Sequence, residues 1–196
     1  QTKDIRNIAL VGGAKSGKTT IAEAMLFLGG TIKRRGSIED KNTVSDYREI
    51  EIERENSVFS TVLNTEFQGK KINIIDAPGF DDFVGEVLAS LKVAETAFML
   101  VNAQNGVEVG TEITWRHTTK LEKPVVFIVN QLEHDKANYD ETIQSMIAQF
   151  GNKVVSAQYP LEVGANFNSI IDVISMKMYK YEGDSGQAKV MDIPAN

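Results

Sequence analysis

Eight consecutive residues, Gly12-Gly13-Ala14-Lys15-Ser16-Gly17-Lys18-Thr19, fit the spacing G-x-x-x-x-G-K-[ST]. The glycines let backbone N–H groups turn inward around an anion, as larger residues would not. A helix beginning at Thr19 and running on through Thr20 points its positive end at the same place. Lys18 is then expected to reach the β- and γ-phosphates of a nucleoside triphosphate, and the Thr19 hydroxyl to sit on Mg²⁺. A chance match of this kind arises on the order of once in a hundred chains of this length at average composition.

Two further groups add to that chemistry. Asp76-Ala77-Pro78-Gly79 follows an apolar run. Asp76 suits an outer role toward Mg²⁺, and Gly79 can offer its N–H to a γ-phosphate. Asn130-Gln131-Leu132-Glu133 follows the apolar run Val125–Val129 and looks like an altered N-K-x-D, the pattern that reads a guanine edge.

The elements that must hold these groups alternate in type. Ile5–Val11 reads as a buried strand and Thr19–Leu28 as a helix. Val58–Phe67 and Lys71–Ile75 read as a hairpin around Gln68-Gly69. Phe83–Ala94 is helical, Ala97–Val101 a strand, Thr111–Leu121 helical and Val125–Val129 a strand. Tyr139–Phe150 is an amphipathic helix closed by Gly151, with short strand signals near Val154–Ala157 and Met176–Tyr181. Residues 32–56 form a long charged connection, of the kind that is usually functional or mobile. Strand–helix alternation implies an α/β fold with a mainly parallel sheet and one antiparallel edge from the hairpin. Ligands of such sheets sit at the carboxyl ends of the strands, where all three groups fall.

Composition excludes several classes. The chain has no cysteine, so disulfides and thiolate metal sites are ruled out. A net charge of -6 argues against a surface devoted to nucleic acid. Lys33-Arg34-Arg35 is the one tight basic cluster, either a solvated loop or a local contact to phosphates. The longest apolar runs are strand-sized, far short of a membrane span, and no leader pattern opens the chain. A cytoplasmic location without membrane contact is the expectation. The first residue is Gln1 rather than Met, and residues 182–196 run out in polar and turn-forming types with no evident closing element. Both suggest a fragment.

With these motifs in place the chain resembles the nucleotide-binding domain of elongation factor G, in the elongation-factor-G-like branch of bacterial translational GTPases. The resemblance extends to I-R-N-I-A-L-V-G at the start, G-S-I-E-D-K-N-T-V-S-D-Y (36–47), D-F-V-G-E-V (82–87) and T-E-I-T-W-R (111–116). It continues through A-N-F-N-S-I-I-D-V-I-S-M-K-M-Y (165–179), where the family begins its inserted subdomain. It implies a P-loop NTPase three-layer αβα fold, with GTP or GDP and Mg²⁺ as ligands. The implied partner is the ribosome, both RNA and protein, met by a monomer during translocation. Residues 1–180 would be the GTP-binding domain and 181–196 the truncated start of the insertion. The family's base-cradling Ser-Ala loop follows that insertion, so Ser156-Ala157 matches only as a dipeptide and lies too early.

Four departures from the family bear on chemistry. Phe80 stands where the family has a histidine that orients the attacking water, and a phenyl ring has no hydrogen-bonding atom. Groups that orient or move a proton are worth about 10²–10⁴ in rate, so hydrolysis should be impaired. Neither His117 nor His134 is placed to replace it, and Asp81 is the one adjacent alternative. Gln131 and Glu133 replace the lysine and aspartate of the base-reading motif, which predicts weaker binding and looser base choice. Ser57 replaces the threonine that closes over Mg²⁺ and keeps its hydroxyl, while Glu55 replaces a flexible glycine beside it. Lys15 stands where the family has an aspartate linked to a monovalent cation; it either supplies positive charge to the phosphates or faces solvent. The functional expectation is a ribosome-stimulated GTPase with slowed chemistry. The alternatives are a ribosome-binding factor working largely without turnover, or a ribosomal-protection factor.

Overall fold

In the computed structural model, which describes residues 1–183 and 186–194, the chain divides into two compact units. The first comprises Gln1–Val101 and Glu108–Ile128, the second Asn102–Val107 and the residues from Val129 onward. The elements in order are β1 (Ile5–Gly12), α1 (Lys18–Leu28), α2 (Glu49–Arg54), β2 (Thr61–Phe67), β3 (Lys70–Asp76), α3 (Val84–Val93), β4 (Thr96–Asn102), α4 (Val109–Lys120), β5 (Val125–Asn130), α5 (Tyr139–Phe150), β6 (Gln158–Pro160), β7 (Ser169–Asp172), β8 (Lys177–Tyr181) and β9 (Ala188–Met191).

The larger sheet has the order β2-β3-β1-β4-β5. Strand β1 lies parallel to both β3 and β4, and β2 returns antiparallel to β3. Because strand side chains alternate, the apolar run of β1 feeds two cores. Ala9 and Val11 face Ile75, Met99 and the α3 residues Val87 and Leu91, with Trp115 of α4 packed alongside. Ile8 and Leu10 face Ile74, Leu100 and the α1 residues Ala22 and Leu26. Helices therefore cover both faces, giving the three-layer αβα arrangement of a P-loop NTPase. The hairpin turns at Gln68 and Gly69, both with positive φ, 48° and 73°, as a two-residue primed turn requires.

One consequence of register matters for the site. Leu10 pairs with Asp76, and Thr61 pairs with Asp76 from the other side. The end of β1, the end of β3 and the start of β2 therefore meet at one end of the sheet, where the parallel strands finish.

The second unit carries α5 and a separate four-stranded antiparallel sheet, β6-β7-β8-β9. Asn138 caps α5 by accepting the Glu141 N–H at 3.1 Å, and Gly151 ends it at φ 84°. Ala103, Leu132 and Ala137 form a small core with Phe167 and Tyr139.

The structure corrects several expectations about elements. Val58 is not in β2; it is buried, but its N–H goes to the Glu51 carboxylate instead of the ladder. Val154–Ala157 is not a strand: Val155 is 82% exposed, so the valines that suggested one have no core to enter. The polar end of the chain does contain a closing element, β9, which pairs with β8. The stretch 181–196, expected to open an inserted subdomain, includes 184–185 and 195–196, which lie outside the described residues.

Candidate nucleotide site

The loop leaving β1 is shaped by close approach. A Cβ at Gly12 would stand 2.5 Å from the carbonyl oxygen of Leu100, and the residue has φ 132°, so a side chain is excluded there on both counts. Gly17 enters α1 from the left-handed region at φ 93°. Lys15 between them has φ 59° and is exposed.

Lys18 opens α1 and folds back over this loop. Its Nζ donates to the carbonyls of Gly12 at 3.1 Å and Gly13 at 2.8 Å. Burial lowers its pKa to about 8, against the opposing pull of Asp76 and Asp46. The ammonium thus lies in a dry place at a helix N-terminus, where an anion is stabilised. A Cβ on Gly79 would come within 2.8 Å of the Ala14 backbone and would strike Lys18 Nζ. The Asp76–Gly79 segment therefore packs directly over the loop.

Asp76 is fully buried at the end of β3. Its Oδ2 accepts from Thr19 Oγ1 at 2.8 Å and from Ser45 Oγ at 2.7 Å, while Oδ1 has no hydrogen-bond partner among the described residues. Burial pushes its carboxyl up to about 6, partly offset by those two hydroxyls. Ser57 Oγ stands 3.3 Å from Thr19 Oγ1. Ser57 also hydrogen-bonds Asp46, whose carboxyl is raised chiefly by desolvation.

This donor set fits Mg²⁺. That ion is usually held by one or two carboxylates, water and substrate phosphates, without a dedicated protein cage. Here two hydroxyls and one carboxylate with an unpartnered buried oxygen converge. Among the described residues no group of three or more His, Cys, Asp or Glu is placed to hold a metal.

Within the first unit, many of the residues foreseen from sequence are brought together. Ala14, Lys15, Gly17, Lys18, Thr19, Glu55, Ser57, Gly79 and Phe80 line one cavity, with Ile38, Asp46 and Asn56. Gly12 and Gly13 hold the Lys18 ammonium through their carbonyls, Ser16 is buried, and Thr20 lies on the exposed side of α1. Phe80 is 41% exposed at the mouth. Asn130, Gln131 and Glu133 belong to the second unit. There Gln131 adopts φ 62° and its Oε1 accepts from Asn102 at 2.6 Å and Gln104 at 3.4 Å, while Glu133 is exposed. The Asn130 carbonyl accepts the Ala103 N–H at 2.9 Å.

Sequence reasoning missed Ser45, Asp46 and two buried glutamates. Glu23 of α1 accepts the Gly36 N–H at 2.8 Å and the Val44 N–H at 2.5 Å, fastening the long connection to the helix behind the phosphate loop. Glu51 does comparable work further along. Ser45 and Asp46 fall inside the 36–47 stretch that carried the family resemblance, and that was the available signal.

The family model for the elongation factor Tu GTP binding domain matches residues 3–193. The chain is 34% identical over 189 residues to an elongation factor G-like protein of Thermotoga maritima, covering 96% of this chain and 27% of that protein. It is 36% identical over 182 residues to elongation factor G of Mycoplasma genitalium, covering 93% and 26%. A mitochondrial ribosome-releasing factor 2 of Candida dubliniensis is 34% identical over 196 residues, covering 96% and 24%. A crystal structure of a Thermus thermophilus protein superposes with a TM-score of 0.91 at 34% identity, covering 97% of this chain and 28% of that one. The chain thus spans about a quarter of the length of these relatives.

Proposed function

This chain belongs to the family of the elongation factor Tu GTP binding domain, and from that membership we propose that it is the nucleotide-binding domain of an elongation factor G-like protein acting at the ribosome in translocation, with weakened hydrolysis. Residues 1–180 would form that domain and the segment from 181 the start of an insertion. Among the described residues no helix is long and apolar enough to cross a membrane, and a cytoplasmic monomer is the accompanying proposal.

The chemistry follows from the site. The loop N–H groups and Lys18 would hold the β- and γ-phosphates, and Gly79 would approach the terminal one. Thr19 and Ser57 would hold Mg²⁺ directly, with Asp76 behind Thr19. Mg²⁺, when bound, neutralises charge on the phosphate oxygens. Asn130, Gln131 and Glu133 would meet the base.

The observation that carries the weakened-hydrolysis reading is Phe80. It lines the cavity, yet it offers the attacking water no acceptor or donor. This favours a second reading, a ribosome-binding factor working largely without turnover, over full GTPase activity. Multiple-turnover phosphate release by the intact protein with ribosomes tests it. The expected rate is low, rising by about 10²–10⁴ in F80H. Rapid release by the wild type, unchanged in F80H, would sink the proposal.

A further inference from the structure

Glu51 sits on the short helix α2 with its side chain fully buried. A carboxylate out of water is costly unless hydrogen bonds or opposite charge compensate it. Two backbone N–H groups and the Arg48 guanidinium compensate it here.

The backbone carbonyl of Glu51 accepts the N–H groups of Glu55 and Asn56. Its carboxylate Oε1 accepts the N–H groups of Val58 and Phe59, each at 3.1 Å. Residues 55, 56, 58 and 59 therefore all donate to Glu51, and Ser57 is the residue bracketed between them. Glu55 makes this possible by taking a left-handed conformation, φ 52° and ψ 37°, which turns the chain back over the helix. The second carboxylate oxygen, Oε2, faces Arg48 Nη1 at 3.6 Å. The Arg48 guanidinium is itself held between the rings of Tyr47 at 4.8 Å and Phe59 at 4.6 Å.

We propose that Glu51 is a positioning residue for nucleotide sensing: its carboxylate grips the two N–H groups that follow Ser57, while its main-chain carbonyl holds the two that precede it, and the grip presents the Ser57 hydroxyl to Thr19 and to the metal that Thr19 would hold. This rests on the nucleotide-binding reading above. The geometry supports it because the bracketed hydroxyl already stands 3.3 Å from Thr19 Oγ1. Glu51 does not line the cavity, whereas Ser57 does, so it acts through Ser57.

Two measurements on the intact protein test this in wild type, E51A, E51Q, S57A and the E51A/S57A double variant. The first is hydrogen exchange of the segment 55–60 without nucleotide. E51A should speed it by tenfold or more while leaving α1 unchanged, and E51Q, which keeps an acceptor oxygen, should restore most of the protection. The second is GTP affinity with Mg²⁺ and with chelator. E51A should reduce the Mg²⁺-dependent gain in affinity to the level of S57A, and the double variant should lose no more, since both act through one contact. An E51A effect that adds in full to that of S57A overturns the proposal, as does unchanged exchange at 55–60. If E51A does not fold, E51D, one methylene too short to reach the same N–H groups, takes its place with the same expected outcomes. Absence of guanine-nucleotide binding by the wild type would count against the proposed function, whereas the exchange measurement would still decide whether Glu51 holds the Ser57 segment.

Discussion

Ser45 and Thr19 share one acceptor: their hydroxyls donate to the same oxygen, Asp76 Oδ2, at 2.7 and 2.8 Å. Ser45 is itself held by Thr61, whose hydroxyl donates to the Ser45 carbonyl at 3.1 Å. The start of β2, the long connection and the end of β3 are thereby tied to the first turn of α1. S45A should leave the buried carboxylate with one hydroxyl fewer and lower stability by about 1 kcal/mol. Trp115, the one tryptophan of the chain, packs against the adjacent core, and its fluorescence reports the shift in urea midpoint. An unchanged midpoint would show that the hydrogen bond contributes nothing net.

The base-reading residues can be separated by substitution. Gln131 already has its amide oxygen occupied by Asn102 and Gln104, so a lysine there would strand those donors. Glu133 is exposed. E133D alone should therefore raise the preference for GTP over ATP by about tenfold, the lower part of the 1–3 kcal/mol span of a bidentate base contact. Competition titration of the two nucleotides measures it, and an unchanged ratio would mean that residue 133 does not meet the base.

Glu55 lines the cavity with a negative charge, weakly opposed by Lys41 at 3.8 Å. Removing the charge without altering the backbone, as E55Q, should tighten GTP binding roughly fivefold. That corresponds to ~1 kcal/mol of repulsion at partly screened distance. The gain should shrink at high salt. Equal affinity of E55Q and wild type at low salt would remove Glu55 from the account of weak binding.

Lys33, Arg34 and Arg35 are all exposed, with the Arg35 guanidinium resting 5.9 Å from the Phe27 ring centroid. If this cluster meets ribosomal RNA, reversing its charges should weaken ribosome binding. The salt dependence should also flatten, its slope falling by about 0.7–0.9 for each phosphate no longer neutralised. Identical salt titrations for the variant and wild type would refute the contact.

What the sequence made legible was whatever a local pattern specifies. The phosphate loop needs glycine at tight positions, and α5 runs between Asn138 and Gly151 because one caps and the other reverses the chain. The first strands were visible because both faces of β1 are buried, leaving an unbroken apolar run. The short strands β7 and β9 carry too few residues for a period to emerge, and Val154-Val155 imitates a strand without a partner. Glu23 and Glu51 were invisible for a different reason. Their partners are backbone N–H groups, which nearly every residue possesses, so no pairing of residue types could announce them. Ser45 and Asp46 do have side-chain partners, Asp76 and Ser57, but their importance depends on where a long charged connection lands.

Lys18, Thr19 and Glu23 all belong to the first six residues of α1. One meets the phosphate loop, the next meets Asp76, and the last meets Gly36 and Val44. A helix advances about 100° per residue, so these three directions are fixed by residue count alone. The helix acts as an angular ruler between the phosphate loop and the connection. Inserting or deleting one residue between Thr19 and Glu23 would leave every other side chain present and yet aim Glu23 about a quarter-turn away from the N–H groups it holds.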